Sequence, residues 1–587
     1  MASEVRCTKA FDRPALACDF APKLAHLAGL HDRPSNQRSL PLSSKPRSSR
    51  SETLLVAFAM AIAALCVLPH IAVFLAAISG TSDTLASLWE TVLPRYIGTT
   101  LVLVVLVAVG TFLMGTGAAW LVTMTDLPGR RFFEVALVLP LAFPAYVMAY
   151  AYTHLLDHPG IVQTTLRDVM GWGPRDYWFP EVRSVGGAAV MLTLVLYPYV
   201  YLLARAAFLS QSGSVVLAAR AMGSSPFKAF VQVSLPMARP AIAAGVLLAT
   251  METIADFGTV SYFGVQTFAT GIYTSWFSMA DRTAAAQLAL GLLAFALLLA
   301  LLERSSRGRA RYANGRRQEP MPPAPLVGWQ RWAATSLCAF PVLFAVIIPG
   351  IALWLMALGS EQDLLSRRYI HFIENSLTLA SIGAVVTMVA AVVLGSVARL
   401  RPGRLTSGTL YAGRLGYAVP GGVIAVGLLV PFAALDNTID AWMRANFEIR
   451  TGLLFTGSIW VLIMAYMIRF LAAAIGAYEG GIASVSTNMD SAARVLGQGA
   501  VGTIRRVHVP ILRPSLLTGM LIVFVDVMKE LPATLIMRPF NYDTLAVQAH
   551  RLAADERLEG AAVPSLVIVG IGLLPVMLLI RRLRNTR

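Results

Sequence analysis

Charged residues are scarce in this sequence: they make up 14% of its 587 residues, while 56% are hydrophobic. A soluble protein of this length would carry about a quarter charged residues. Three stretches, 101–122, 284–302 and 562–580, contain no charge, and each is close to the roughly 20 residues with which a helix crosses a ~30 Å hydrocarbon core. Lipid cannot satisfy the backbone of an open sheet. The sequence therefore predicts an all-α polytopic membrane protein.

Motifs for nucleotide hydrolysis and for metal binding are also missing. None of the lysines follows a glycine, which excludes a phosphate-binding loop of the G-x4-G-K-[ST] type. The four cysteines form no CxxC pair and no disulfide framework. Five histidines lack metal-ligand spacing: His154, His158, His371, His508 and His550. We therefore expect no cofactor, no stable metal site and no enzymatic activity in this chain.

Twelve apolar segments indicate twelve membrane spans, and the basic, Pro-rich stretch 304–332 divides them six and six. The first six lie near 53–78, 96–123, 132–154, 186–209, 237–262 and 284–303. The second six lie near 333–357, 372–398, 409–434, 454–477, 512–535 and 561–580. With a cytoplasmic amino terminus, most Lys and Arg residues fall in cytoplasmic segments, as the positive-inside rule requires. The net charge of +16 then follows from topology, and we expect no nucleic-acid partner.

These segments define the domains that we predict. Residues 1–52 form a disordered cytoplasmic tail, 53–303 a first half, 304–332 a cytoplasmic linker and 333–587 a second half. The halves are duplicated, because the 29 residues from Leu217 align without a gap with those from Ser491 at nine identical positions. Ordinary composition would give about two identities. Pro144 and Pro420 also correspond, at a slightly different offset.

Both copies of the repeat lie in a predicted cytoplasmic loop between the fourth and fifth spans of their half. Each has two alanines, a glycine after three further residues, and an aliphatic-Pro pair that we expect to reset the chain before the next span. This pattern resembles the EAA loop of ABC importer permeases, although Leu217 and Ser491 stand in place of the leading Glu. The matching residues are Ala218, Ala219, Gly223, Pro236, Ala492, Ala493, Gly497 and Pro510.

The resemblance implies a type-1 permease fold, with transmembrane domains from about 94 to 303 and from about 371 to 582. In that family each EAA loop forms a coupling helix that docks into a cytoplasmic ATPase. It further implies two ATPase copies that bind ATP and Mg, one fused permease chain per complex, and a periplasmic solute-binding protein. The location would be a bacterial inner membrane, in contact with lipid and with both termini cytoplasmic.

Charges within the fifth span of each half are candidates for a translocation path or gate, because intramembrane charges are costly. Glu252 and Asp256 in the first half correspond to Asp526 and Glu530 in the second. The i, i+4 spacing predicts that each pair shares one helix face, in the outer half of the bilayer. Lys529 can neutralise a neighbouring acid, so the cluster lines a cation path or forms a salt-bridge scaffold. Arg469 is expected near an interface.

The phrases ETIADFGTVSYFGVQTFATGIYTSWF and DVMKELPATLIMRPFNYDTLAVQAHRLAADER resemble those of ferric iron permeases. The resemblance implies that a periplasmic protein delivers Fe³⁺ to this chain. Thiamine, polyamine and phosphonate permeases share the architecture and remain alternatives. From another class, a secondary transporter would use the intramembrane acids as proton or sodium sites. An enzyme acting within the membrane is disfavoured, because no nucleophile–base or metal motif is present.

Overall fold

The computed structural model describes residues 50–79, 83–211, 213–306, 323–363, 366–416 and 419–585. Helix dominates these residues, and the one strand-like pairing among them is an isolated backbone bridge between Thr125 and Ala324.

The first half contains α1 (Arg50–Ser79), α2 (Asp83–Thr91), α3 (Leu93–Met124), α4 (Arg130–Ala136), α5 (Ala145–Leu156), α6 (Ile161–Met170), α7 (Val185–Leu209), α8 (Gly213–Ala221), α9 (Pro226–Ala229), α10 (Leu235–Ala255), α11 (Gly258–Tyr262), α12 (Phe268–Tyr273) and α13 (Arg282–Ser306). The second half contains α14 (Trp329–Val342), α15 (Ile348–Leu358), α16 (Arg367–Leu400), α17 (Arg404–Leu415), α18 (Gly421–Phe447), α19 (Ile459–Ile482), α20 (Thr487–Val495), α21 (Ala500–Thr503), α22 (Val509–Met528), α23 (Pro532–Met537), α24 (Leu545–Ala554) and α25 (Leu558–Asn585).

Within the described ranges, 11 helices are long and apolar enough to cross a membrane. A bent pair, Arg130–Ala142 with Ala145–Met170, brings the number to 12 if it is one span. The chain is therefore a multi-pass membrane protein, and the all-α prediction is confirmed. Three of the spans consist of two helices that a π-helical turn joins: Phe230–Ser234 joins α9 to α10, Leu343–Ile347 joins α14 to α15, and Ile504–His508 joins α21 to α22.

Proline interrupts the third span of each half, which corrects two predicted spans. The span predicted at 132–154 is bent by 94° around Pro144. The span predicted at 409–434 begins only at Gly421, directly after Pro420, and continues to Phe447. Both prolines are extended, with ψ of 143° and 144°, immediately before a helix. Proline has no amide hydrogen to donate and suits the start of a helix better than its interior.

The fifth span of each half begins and ends earlier than predicted. The predicted spans 237–262 and 512–535 correspond to Pro226–Ala255 and Ala500–Met528. Pro236 and Pro240 therefore do not reset the chain before the span but lie inside a continuous helix, as Pro510 and Pro514 do in the second half. A π-helical turn ends two residues before Pro236 and Pro510. Its wider hydrogen-bond pattern accommodates the missing amide hydrogen of the proline.

The first span of each half crosses to the other half. α1 packs against α13 of its own half and against α16, α17 and α18 of the second half. α15 correspondingly packs against α25 of its own half and against α5 of the first half. The crossing is tight, because a Cβ on Gly427 of α18 would lie 2.5 Å from the carbonyl oxygen of Pro69 in α1. The halves thus form one interlocked bundle with the candidate site between them.

A glycine that both copies of the repeat share brings the fifth span close to the fourth span. A Cβ on Gly245 would lie 2.7 Å from the Cα of Val200 in α7. A Cβ on Gly519 would lie 2.5 Å from the Cβ of Ala477 in α19. Small residues permit this approach of two membrane helices, which is stabilised by van der Waals packing. The duplicated glycine therefore fixes the position of the span that carries the predicted acids.

Candidate docking loops and intramembrane cavity

Two loops between the fourth and fifth spans have the same backbone geometry. Gly223 follows α8 with φ of +86°, and Gly497 follows α20 with φ of +75°. An L-residue with a side chain adopts this left-handed conformation only at a cost, whereas glycine adopts it freely. In both loops a short helix therefore ends at the glycine and a second helix starts a few residues later. The structure thus explains why the repeat needs glycine at this position.

The alanines of the predicted motif supply the carbonyl groups that end the helix. The amide of Ser224 donates to the carbonyl of Ala219 at 3.2 Å, and the amide of Gln498 donates to that of Ala493 at 2.9 Å. These bonds across the left-handed glycine form a Schellman motif, in which a helix satisfies its last carbonyls. The carbonyls of Ala218 and Ala492 accept from the amides of Met222 and Leu496, at 3.0 Å each.

Apolar side chains beside these glycines point away from the rest of the chain. Met222 in the first loop is 81% exposed, and Val495 in the second is 87% exposed. The space next to both glycines is open, because a Cβ on Gly223 or Gly497 would meet no atom within 4 Å. An exposed apolar surface of this kind is typical of a protein–protein contact. The two loops can therefore act as paired docking surfaces.

The predicted intramembrane charges meet in one cavity of about 340 Å³ between the halves. Its walls are mostly apolar and include the bend prolines Pro144 and Pro420. Both halves contribute charged residues to its lining: Glu252, Asp256, Arg469, Asp526, Lys529 and Glu530. Four carboxylates thus face two cations. The structure therefore brings together all five residues predicted as a path or gate, and it adds Arg469, which was expected near an interface instead.

Asp256 and Glu530 each lie outside the long helix, two residues before the next short helix, so the prediction that each acidic pair shares one helix face is wrong. α10 ends at Ala255, and the Asp256 carboxylate accepts hydrogen bonds from the Thr259 and Val260 amides at 3.0 and 3.2 Å. The Glu530 carboxylate accepts from the Ala533 and Thr534 amides at 3.0 Å each. A carboxylate satisfies helix amides that lack partners within the helix. Because these two carboxylates cap the next short helix, the long helix of each fifth span ends before Asp256 or Glu530.

The other charged residues of the cavity form ion pairs with different nitrogen–oxygen distances. Lys529 Nζ lies 2.8 Å from Asp526 Oδ1, which is a direct contact. Arg469 lies between the halves, with one nitrogen 3.9 Å from Glu252 Oε2 and the other 3.9 Å from Glu530 Oε1. Arg469 therefore links an acid of the first half to an acid of the second, while Lys529 neutralises an acid of its own half.

Aromatic side chains extend from the cavity toward the end of the bundle opposite the docking loops. Tyr146 of α5 lines the cavity, and its ring centroid lies 5.7 Å from that of Tyr150. Tyr150 packs edge-on against Tyr262 at 4.7 Å, and its hydroxyl lies 3.2 Å from His550 Nδ1. His550 belongs to α24 of the second half. This column of aromatic side chains therefore connects the cavity residue Tyr146 to α24 of the second half.

An ion pair between the halves covers the far end of this column. Arg183, just before α7, forms a bidentate pair with Glu556 at 2.6 and 2.8 Å and contacts Asp157 at 3.0 Å. The Arg183 guanidinium also lies 5.1 Å from the centre of the Tyr262 ring. The hydrogen bonds from Arg183 lower the pKa of Glu556. Sequence reasoning missed this pair, because charges in loops outside the spans are common and show no pattern.

The chain belongs to the binding-protein-dependent transport system inner membrane components, whose family model matches residues 111–311 and 391–585. The two matched regions agree with a duplicated permease. The Fe(3+)-transport system permease protein FbpB 2 of Haemophilus influenzae is 26% identical over 523 residues, which cover 87% of this chain and 95% of that protein.

Other relatives include permeases for different substrates. The ferric transport system permease protein FbpB of Actinobacillus pleuropneumoniae is 22% identical over 71% of this chain and 61% of its own length. The molybdenum transport system permease protein ModB of Escherichia coli strain K12 is 27% identical over 33% of this chain and 85% of its own length. The two ferric permeases thus match most of the chain, while the molybdenum permease matches about a third of it. The chain is homologous to ferric iron transport permeases of ABC importers.

Proposed function

We propose that this chain translocates ferric iron across a bacterial inner membrane as the fused permease of an ATP-driven importer. The observation that carries the importer assignment is the pair of docking loops, with the same Schellman geometry and exposed apolar side chains in both halves. Two docking surfaces suit two copies of a cytoplasmic ATPase, which bind ATP and Mg. The chain itself hydrolyses no ATP and holds no cofactor or resident metal.

The ferric substrate rests on the relative that matches nearly the whole chain and on the charge of the cavity. Four carboxylates outnumber Arg469 and Lys529, and this balance favours a cation over an oxyanion such as molybdate. Hard cations prefer oxygen ligands such as carboxylates. A periplasmic binding protein would deliver Fe³⁺ to the end of the bundle at Arg183 and Glu556, and both termini would then lie in the cytoplasm.

Reconstitution into lipid vesicles tests the proposal directly. The chain is purified with its ATPase, and binding protein loaded with radioactive Fe³⁺ is supplied on the side opposite the ATPase. Iron should accumulate only when ATP and Mg are present on the ATPase side. Accumulation without ATP that follows a proton or sodium gradient would instead identify a secondary transporter. Transport of molybdate or thiamine in place of iron would support the assignment as an importer but would show that its substrate is not iron.

A further inference from the structure

Buried charges fasten the second docking loop to the end of α16. Asp490 of α20 lies 2.7 Å from Arg399 Nε and 2.8 Å from His508 Nε2. The Asp490 side chain is 5% exposed and that of His508 is fully buried. Arg399, in the last turn of α16, also donates to the carbonyls of Ile482 and Val485 at 3.0 and 2.6 Å. One arginine thus holds the loop and the chain segment that leads into it.

The Asp490 carboxylate is held in its charged form. Burial alone would raise the pKa of Asp490, but hydrogen bonds from His508 and Arg399 outweigh burial and lower that pKa. Charge-assisted hydrogen bonds are short and directional. Separating the Asp490 carboxylate from either partner would leave an uncompensated buried charge. The second loop therefore cannot move away from α16 in small steps. The second loop is therefore fixed in one position relative to α16.

The first docking loop is attached to its span by different chemistry. Val216 and Ser234 occupy the repeat positions of Asp490 and His508, so the acid and its histidine partner are absent there. Instead, Trp120 near the end of α3 stacks on Phe230 at 4.8 Å and meets Phe227 edge-on at 6.1 Å. Apolar attraction is non-directional. Gln211, after α7, also donates to the carbonyl of Ser234 at 2.8 Å, which joins the two ends of the loop. Toward α3, however, the loop is held by the aromatic contacts, and these can shift without breaking a hydrogen bond.

We propose that Asp490 is a positioning residue that locks the second docking loop to α16, so that this loop transmits ATPase movement rigidly while the first loop can shift. The inference rests on the proposed docking role of both loops. α16 packs against α22, which carries Asp526, so movement that enters at Asp490 reaches the cavity. Of the two contacts with the ATPase, the one at the second loop therefore moves the cavity more directly than the one at the first loop.

The decisive measurement is the amount of iron transported per ATP hydrolysed, in vesicles containing the full chain, its ATPase and Fe³⁺-loaded binding protein. Asp490→Asn should lower this ratio below that of the wild type, because an amide lacks the charge that pairs with Arg399, while the ATPase still co-purifies through the first loop. Glu479→Gln is the matched control, because Glu479 pairs with Arg414 at the same end of the bundle but is half exposed. Its ratio should equal that of the wild type.

A triple variant separates positioning from folding. Asp490→Val, His508→Ser and Arg399→Met together place the first loop's residue types at the two loop positions and remove the buried charge. Apolar replacement of a buried ionic cluster is often neutral or stabilising. Membrane abundance should therefore equal that of the wild type while the coupling ratio stays low. Wild-type coupling in the triple variant or in Asp490→Asn would overturn the inference.

A failure of the docking proposal can be distinguished from a failure of the role proposed for Asp490. If bulky residues at both Gly223 and Gly497 leave ATPase binding and transport unchanged, the loops do not dock the ATPase, and the role of Asp490 falls with them. If those variants lose the ATPase while Asp490→Asn couples normally, docking stands and only the rigid connection is refuted.

Discussion

The cavity carboxylates differ in how much of the structure depends on them, so amide substitutions should separate a transport role from a scaffold role. Glu530 is almost fully buried, accepts from two amides and from the Thr534 hydroxyl at 2.6 Å, and lies near Arg469. Glu530→Gln replaces one accepting oxygen with a donor and leaves Arg469 with less counter-charge. Breaking a buried pair costs roughly 3–5 kcal/mol, a large part of a typical stability of about 5–15 kcal/mol. We expect a clear loss of membrane-inserted protein.

Glu252→Gln should behave differently. Both Glu252 and Glu530 lie 3.9 Å from Arg469, but the Glu252 side chain is 33% exposed whereas that of Glu530 is 1% exposed. A partly exposed pair of this kind contributes at most about 1 kcal/mol, so abundance should match the wild type. If Glu252 attracts the metal cation, iron uptake should nevertheless fall. Asp256→Asn should resemble Glu530→Gln, because Asp256 caps a helix in the same way.

Uptake of radioactive iron, normalised to membrane-inserted protein, measures both effects for the four amide variants: Glu252→Gln, Asp256→Asn, Asp526→Asn and Glu530→Gln. Full abundance of Glu530→Gln would refute the capping argument. Unchanged uptake in all four variants would refute the cation path. If lost abundance accounts for the whole loss of transport in each variant, the cluster is a scaffold and the path lies elsewhere.

Further substitutions test the docking loops, the cavity and the far end of the bundle. A tryptophan at Gly223 or Gly497 should leave the chain in the membrane but lower ATPase co-purification and uptake, because the positive φ is strained and the added side chain would project into the docking surface. Lys529→Met should lower abundance if the cavity is a scaffold, whereas in a cation path it should leave folding intact and uptake equal or higher. Arg183→Glu should raise ATP hydrolysis without binding protein, by opening the far end of the bundle, and adding Glu556→Arg should restore the wild-type rate. Because the pKa of Glu556 is lowered, this pair should persist above the ordinary carboxyl range and weaken as pH falls through the lowered pKa, which a pH series of the basal ATPase rate checks.

The sequence predicts the helical class and the duplication well, because each rests on a long-range signal. An apolar run of about 20 residues is recognised as a span even when its ends are placed wrongly. Nine identities at one offset are hard to obtain by chance. The ends of the spans are predicted poorly. Hydropathy does not distinguish a span that stops at Ala255 from one that continues to 262, because the capping by Asp256 depends on the side-chain hydrogen bonds that the folded chain makes.

The partners of the charges could not be predicted either. Arg469 lies on the fourth span and Glu252 on the fifth span of the other half, and no spacing rule relates them. Helical periodicity relates residues within one element, so it finds Lys529 with Asp526 at i, i+3. Contacts between halves depend on how the bundle interlocks. The sequence identified the charged cluster, and the fold determined which members are caps and which face the cavity.

The duplication itself indicates which acid matters most. Glu252 and Asp526, like Asp256 and Glu530, are equivalent in the repeat, but Arg469 and Lys529 correspond to Val195 and Ala255, which line the same cavity. All of its positive charge therefore comes from the second half. Lys529 already contacts Asp526, and Asp256 and Glu530 are held by helix amides. Glu252 remains as the acid with the loosest contact, so a cation would encounter the cavity on its first-half side.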